Sequence, residues 1–221
     1  MNRGQVRTLA SLFNGDPNLT RLTSTQYDDL INRAQEQFVF DTNALWKDAA
    51  TITTVDGTAT YDLPSDFLFE RLVMHKGLEL KPITRAKLAA DNPDDRWDDE
   101  NGTPKYYVID PEDAQKKILL YPIPQANDAG ANLVLTYYPL PAELTADSST
   151  PLNGYTLLAG YHIALACYAA WLAMGYEIAT PEVLSKRAGL LKQYTDKTIE
   201  ARDYFKNTQR APIRMTGGRV R

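Results

Sequence analysis

The sequence predicts an α+β protein: an antiparallel helical bundle of two N-terminal helices and two long C-terminal helices, with a small antiparallel β lobe inserted and an extended basic C-terminal tail. Apolar residues recur every three or four positions before residue 49 and again after residue 153. Between these stretches the period changes to two, and β-branched and aromatic residues dominate. We expect N-terminal helices over 1–48, the β lobe over 49–145, a C-terminal helical hairpin over 153–206 and an extended arm over 207–221.

The two N-terminal helices are predicted from apolar spacing and from caps. Residues 2–13 form the first helix, and the Gly15-Asp16-Pro17 run that follows stops it. The second helix begins at Thr23, which forms capping-box chemistry with Gln26. The apolar stripe of the first helix is Val6, Leu9, Leu12 and Phe13; that of the second is Tyr27, Leu30, Ile31, Ala34 and Phe38.

The β lobe begins with the β-branched run 51–55, which the pair Asp56-Gly57 follows. This pair favours a tight turn, so we expect a hairpin that ends at Leu63-Pro64, because proline has no backbone donor for a strand ladder. In the paired tyrosines 106–107 and 137–138, one ring of each pair should face inward and the other outward. Further strands are expected at 69–75, 106–110, 117–121 and 133–138, with a short helix at 84–90.

The C-terminal helices follow a polar loop at 145–153. Gly175 closes the first of them, and Thr180 offers an N-cap to the second, with Pro181 at its first position. The last helix should run for about 25 residues, or roughly 37 Å, and should pack antiparallel against its predecessor. The stripe of the first is Leu158, Tyr161, Leu165, Tyr168 and Leu172; that of the last is Val183, Leu184, Ala188, Leu191, Thr195, Ile199 and Phe205.

Composition and residue counts exclude several classes of function. With 43% hydrophobic and 24% charged residues, the chain of 221 residues is typical of a folded globular protein. The single cysteine forbids an intrachain disulfide and fits a reducing compartment. The longest apolar stretch, 157–175, is interrupted by His162 and small residues, so we expect neither a membrane span nor an export signal.

The sequence lacks the usual signatures of catalysis. It has two histidines, His75 and His162, and no Walker-type loop, Gly-x-Ser-x-Gly elbow or His-Glu-x-x-His motif. His162 and Cys167 are five positions apart, which places them about 500° apart on a helix and therefore on different faces. We expect no catalytic residue, no cofactor and no resident metal.

The charge is strongly local, although the net charge is only −4. Residues 91–100 carry six acids and one arginine, whereas residues 206–221 carry five cations and no acid. The acidic run is interpreted first as a solvated loop, because its spacing does not fit an EF-hand. A cation site there, and a loop that repels DNA, remain open.

An ordered set of motifs resembles a known family. The set comprises LINRA at 30–34, YDLPSDFL at 61–68, GTPKYY at 102–107, ILLYPIP at 118–124 and VLTYY at 134–138. Each motif alone is commonplace, but together, in this order, they resemble the head-to-tail adaptor (connector) proteins of tailed bacteriophages, which are related to the tail tubular proteins of short-tailed phages. The resemblance extends over almost the whole chain.

The resemblance implies a structural virion protein, assembled in the host cytoplasm, that forms a dodecameric ring at the head-tail interface. Its implied partners are further copies of itself, the portal protein, a downstream tail or nozzle protein, and duplex DNA that passes through the channel without specific binding; no membrane is implied. Family precedent further suggests that the basic tail is an arm that docks on the portal, although a disordered tail is the alternative. The arm residues expected at the portal are Arg210, Ile213, Arg214, Met215, Arg219 and Arg221.

Three other functions stay open. A tail tubular protein farther down the tail is the nearest alternative. A metal-dependent cell-wall hydrolase would have to use the acidic run, and a DNA-binding module would have to use the basic tail, with salt-dependent affinity for duplex DNA.

Overall fold

A computed structural model describes residues 1–91, 100–109 and 116–209. The chain divides into two compact units, a helical unit that contains Met1–Leu45 and the chain from Pro141 onward, and a β unit, Trp46–Leu140. The described residues form five α-helices and two four-stranded sheets, so the prediction of an α+β protein is confirmed.

The helical unit contains α1 (Arg3–Asn14), α2 (Ser24–Thr42), α4 (His162–Ala173) and α5 (Pro181–Gln209). Helix α4 contacts the other three, and α2 also contacts α1 and α5. The stretch Thr156–Tyr176, which includes α4, is long and apolar enough to cross a membrane, but 61% of its most apolar window is buried inside the protein. Such burial is typical of the central helix of a globular unit.

Helices α1 and α2 each begin with a capping box. The predicted box of Thr23 and Gln26 is confirmed, and an unpredicted one joins Asn2 and Gln5. Gly15 ends α1 with φ of 75°, a left-handed conformation that glycine adopts without strain.

The predicted stripe of α2 is buried in full, whereas in the predicted stripe of α1 Val6 is buried, Leu9 and Phe13 are half-buried and Leu12 is exposed. Leu12 is 53% exposed, because the inward face of α1 consists of smaller residues. These residues are Val6, Ala10, Ser11 and Asn14.

The first C-terminal helix is shorter than expected. Helix α4 has 12 residues and is flanked by 3-10 helices at Thr156–Tyr161 and Met174–Tyr176. Helix α5 has 29 residues and runs to Gln209, beyond the expected end at 206. Its predicted N-cap is confirmed, since the Thr180 hydroxyl accepts a hydrogen bond from Val183 N at 3.3 Å.

The β unit contains two sheets. In the first, the strand order is β1 (Lys47–Thr53), β8 (Asn132–Pro139), β3 (Phe67–His75) and β4 (Leu78–Glu79); in the second it is β2 (Thr60–Asp62), β7 (Lys117–Tyr121), β6 (Tyr106–Ile109) and β5 (Lys81–Pro82). The short helix α3 (Arg85–Asp91) lies close to its predicted position. One core joins both sheets, with Val73, Leu133 and Leu135 from the first and Ile118 and Leu120 from the second.

Three expectations about the β lobe are wrong. Strands β1 and β2 do not form a hairpin, because β1 pairs with β8 and β2 with β7. The lobe is not wholly antiparallel, since β5 and β6 pair in parallel. Tyr137 and Tyr138 are both buried, at 4% and 9% exposure, rather than facing opposite environments.

Candidate interaction surfaces

The residues expected to contact a portal all lie outside the described residues. This holds for Arg210, Ile213, Arg214, Met215, Arg219 and Arg221. Most of the acidic run lies outside them as well, and only Asp91 and Glu100 are described. Glu100 accepts a hydrogen bond from the Tyr121 hydroxyl. Within the described ranges, no three His, Cys, Asp or Glu side chains converge as metal ligands would.

The residues that could support nucleophilic chemistry in the helical unit are held in unreactive states. Burial raises the pKa of the Cys167 thiol to about 11, and its Sγ lies 3.4 Å from Gln193 Oε1. Burial and the nearby N-terminal amine lower the pKa of His162 to about 4. His162 Nδ1 lies 3.0 Å from the Met1 nitrogen. A protonated thiol and a neutral buried imidazole give no activated pair at neutral pH.

A buried polar cluster in the β unit contains His75, Lys76 and Asp128. Asp128 is fully buried, and its Oδ1 lies 2.7 Å from Lys76 Nζ. Burial raises the pKa of Asp128, but the hydrogen bond and charge of Lys76 outweigh it and lower that pKa overall. Burial lowers the pKa of His75, and neither of its ring nitrogens has a hydrogen-bond partner among the described residues. Lys76 pairs with one carboxylate oxygen of Asp128, whereas the other oxygen, Oδ2, has no hydrogen-bond partner among the described residues.

A cavity of about 590 Å³ opens on the β unit. Apolar side chains of β3 and β6, including Phe67, Phe69 and Ile109, line most of it. Glu70 and Lys87 add charge to the lining, and Tyr107 donates a hydrogen bond to Glu70 Oε1 at 3.4 Å. A mostly apolar lining with a few polar groups is typical of a binding pocket.

The loop between α1 and α2 is organised by one buried carboxylate. Asp16 is 2% exposed and accepts hydrogen bonds from the backbone of Thr20, Arg21 and Leu22 and from the Thr20 hydroxyl, at 2.8 to 3.2 Å. Burial raises the pKa of Asp16, but these hydrogen bonds outweigh burial and lower it to about 2. At neutral pH the carboxylate is therefore ionised and accepts these four hydrogen bonds across the loop.

Arg21 joins this loop to the turn between α4 and α5. Its guanidinium donates to the carbonyl oxygens of Asn14 and Gly15 and lies 2.5 Å from Glu177 Oε1. On either side of Glu177, Tyr176 is 70% exposed and Ile178 is 87% exposed. The ion pair thus fixes a turn that presents two large apolar side chains to solvent.

An ionic cluster holds α1, α2 and the segment after Pro141 together. Arg7 binds Asp28 at 2.8 Å and Asp147 at 2.6 Å, and Arg3 binds Asp147 at 2.9 Å. Hydrogen bonds from Arg7 and Arg3 lower the pKa of Asp147. Arg3 also donates to the Leu144 carbonyl at 2.7 Å. These arginines are engaged within the unit, so they are poor candidates for contacts with DNA.

Helix α5 has a buried face that packs within the unit. The Tyr194 hydroxyl donates to Asp41 Oδ2 at 2.6 Å, and Arg202 donates to the Asp41 carbonyl. Tyr194 also packs against Tyr168, with ring centroids 4.5 Å apart and the rings tilted by 42°. This face contains Leu190, Tyr194, Thr198, Ala201 and Phe205.

Most of the apolar stripe predicted for α5 does not lie on this buried face, which corrects the prediction. Leu184 is 51% exposed, Leu191 is 36% exposed and Ile199 is 50% exposed. Ala188 and Thr195 are exposed too, Val183 is half-buried, and Phe205 alone of the predicted stripe is buried. We call Leu184, Ala188, Leu191, Thr195 and Ile199 the α5 outer stripe.

A second exposed apolar surface lies just before and at the start of α4. Tyr155 is 45% exposed, Leu157 64% and Ile163 40%. We call these three residues the α4 entry patch. No Asp, Glu, Lys or Arg occurs between residues 153 and 163.

Sequence reasoning missed Asp16 as an organiser and the α4 entry patch as a surface. The Gly15-Asp16-Pro17 run was interpreted only as a helix stop, although aspartate in a turn commonly accepts bonds from following backbone amides. The α4 entry patch left no periodic signal, because its residues belong to two short helical elements.

Comparison with known families identifies the chain. The model of a family described as SU10 adaptor protein matches residues 1–220. The curated proteins yield no match to the chain. Since the family match extends over nearly the entire sequence, the chain belongs to the SU10 adaptor protein family.

Proposed function

We propose that this chain forms a ring that joins the portal of the phage head to the tail and continues the channel for DNA. The observation that carries this proposal is the family match over residues 1–220, which makes the chain a phage adaptor and a structural component of the virion. The adaptor role implies portal and tail proteins as its partners. The ring is expected to be dodecameric, and to assemble in the host cytoplasm before it becomes part of the virion.

In this proposal the helical unit is an antiparallel bundle of α1, α2, α4 and α5, with the β unit inserted between its two halves. The contacts of α4 with α1, α2 and α5 support such a bundle. The ion pair of Arg21 and Glu177 joins the α1–α2 loop to the α4–α5 turn, which supports packing of these helices in one unit.

The basic segment after α5 is the proposed contact with the portal. Residues 206–221 carry five cations and no acid, which suits a partner with acidic groups. Arg210, Arg214, Arg219 and Arg221 would pair with such groups, while Ile213 and Met215 would enter apolar pockets.

Duplex DNA is expected to pass through the ring without specific binding. A dense basic lining would hold the duplex, because each neutralised phosphate adds to affinity. Arg3 and Arg7 are already paired with Asp28 and Asp147, which agrees with this expectation. Weak binding of free duplex DNA at physiological salt would support the proposal, whereas tight binding with a steep salt dependence would favour a DNA-binding module.

Electron microscopy of the purified protein, with and without its portal, tests the proposal directly. We expect twelvefold rings seated on the portal. If the rings do not bind the portal but bind the distal part of the tail when tail is added, the protein is a tail tubular protein. The absence of any ring under both conditions would overturn the proposal.

A matched pair of variants tests the arm. Deletion of residues 207–221 should abolish binding to the portal while the folded core keeps its circular dichroism spectrum. Replacement of Arg210, Arg214, Arg219 and Arg221 with lysine keeps the charge and serves as the control. If the deletion leaves portal binding unchanged, the arm has no role in docking.

A further inference from the structure

The α5 outer stripe is an apolar surface without a covering partner among the described residues. Its five members follow one another at spacings of four, three, four and four residues, which keeps them on one side of the helix over about 22 Å. A stripe of this spacing is typical of a packing seam between helices. Its three largest members, Leu184, Leu191 and Ile199, are between 36% and 51% exposed, and a contiguous exposed apolar patch is often functional.

The outer stripe is distinct from the face of α5 that packs inside the unit. At about 100° per residue, the centre of the outer stripe lies about 100° around the helix from that of the buried face. The two faces are therefore separate surfaces, and α5 has apolar residues for two partners. Helices α2 and α4 already occupy the buried face through Asp41 and Tyr168.

Helix α4, which follows the α4 entry patch, packs on a different side of α5 from the outer stripe. The Gln193 side chain reaches Cys167 on α4. At about 100° per residue, Gln193 points roughly 160° away from the centre of the outer stripe. The outer stripe and the entry patch are therefore separate surfaces of the subunit.

We propose that the α5 outer stripe of one subunit packs against the α4 entry patch of the next subunit, so that a second copy of this chain is the partner of both surfaces. This inference rests on the ring proposed above and names the surfaces that close it. A ring of identical subunits needs head-to-tail contacts between two different surfaces, whereas a two-fold dimer uses one surface twice. Two different apolar surfaces on one subunit meet the first requirement.

The two surfaces are chemically better suited to each other than to a charged partner. The outer stripe consists of Leu, Ala, Leu, Thr and Ile, and the segment of the entry patch contains no charged residue. The centres of subunit interfaces are likewise apolar and poor in charge. A β-carbon added at Gly160 would meet no atom within 4 Å, so the surface beside the entry patch is open to a neighbouring helix.

Two charge substitutions test the pairing. Leu184→Glu places a carboxylate on the outer stripe and Leu157→Glu places one on the entry patch, at side chains 51% and 64% exposed. Each variant alone should lose ring formation and remain a monomer of 24.8 kDa in mass photometry, both free and with portal. Leu12→Glu, at a position that is 53% exposed on α1, is the control and should form rings as the unsubstituted protein does.

Mixing the two variants gives the sharper result. In a 1:1 mixture, the intact outer stripe of Leu157→Glu can bind the intact entry patch of Leu184→Glu, and no further subunit can add. We therefore expect a species of twice the monomer mass and nothing larger. Circular dichroism melts of the variants establish that each is folded.

The outcomes separate this inference from the proposed function. If the unsubstituted protein forms rings and either variant also forms them, the pairing is wrong while the ring stands. If the mixture contains only monomers although each variant is folded and ring-deficient, the two surfaces do not bind each other. If the unsubstituted protein forms no ring even on the portal, both the proposed ring and the proposed contact between the two surfaces are wrong.

Discussion

Helix α5 carries two faces with apolar residues, yet only one is buried within the subunit. Tyr194 on the inner face is 3% exposed and is bonded to Asp41, whereas Ile199, five residues later on the outer stripe, is 50% exposed. The difference teaches that helical periodicity reports a packing partner without saying which one. In the ring proposed above, the partner of one face can belong to a neighbouring subunit.

The largest effect should come from truncating the inner face. Leu190→Ala removes a side chain that is 7% exposed and should lower the free energy of unfolding by about 2–4 kcal/mol, because the cavity it leaves fills only in part. Leu184→Ala makes the same truncation on the outer stripe and should cost about 0.5 kcal/mol or less in the monomer. Urea unfolding of both variants measures the contrast, and equal costs would mean that the two faces do not differ as described.

A smaller effect is expected from a single hydroxyl on the inner face. Tyr194→Phe removes the donor to Asp41 and should lower the free energy of unfolding by about 1–2 kcal/mol at pH 7. Tyr204→Phe, at a tyrosine that is 42% exposed on the same helix, is the matched control and should change stability much less. A similar loss in both variants would show that the Asp41 contact is not what stabilises this face.

Alkaline pH should then reduce the difference between Tyr194→Phe and the unsubstituted protein. Burial and the Asp41 hydrogen bond raise the pKa of Tyr194, so the folded protein keeps a proton that the unfolded chain loses above about pH 10. The stabilisation is therefore complete below pH 10 and declines as pH rises, by up to about 1.4 kcal/mol per pH unit for one proton. Unfolding measured between pH 9 and 11 should show a shallower decline in Tyr194→Phe, and parallel declines would contradict the assignment.

The sequence predicted those parts of the fold that local chemistry determines. The starts of α2 and α5 were predicted from their caps, Thr23 with Gln26 and Thr180 before Pro181. These cap side chains form hydrogen bonds with backbone amides within three residues. The stripe of α2 was predicted in full because most of that helix face is buried by its neighbours.

Nonlocal pairing could not be predicted in the same way. The turn at Asp56-Gly57 exists, with φ of 69° at Gly57, but Gly57 N donates to Pro124 O, and the strands on either side join different sheets. Tyr61 stabilises this turn by donating to the Thr58 carbonyl and accepting from Val55 N. A turn signal in the sequence therefore fixed the bend without fixing the strand partners.

The candidate surfaces were only partly predictable. The outer stripe was recognised as a pattern but was expected to pack against the preceding helix. The spacing of apolar residues does not show whether they face another helix or solvent. The α4 entry patch was not found, since Leu157 and Ile163 belong to different helical elements. The arm residues from Arg210 to Arg221 were selected by charge and by resemblance, and their role stays a prediction.

The insertion of the β unit between the two parts of the helical unit sets an order of events on the ribosome. The 95 residues of the β unit are synthesised before α4. Helices α1 and α2 both pack against α4, so they cannot complete their packing until α4 has been made. Domains generally fold as units as they emerge, so the β unit can fold while the helical unit is still partial. The outer stripe belongs to α5, which follows α4, and a nascent chain therefore acquires this surface only after the other elements of the subunit have been made.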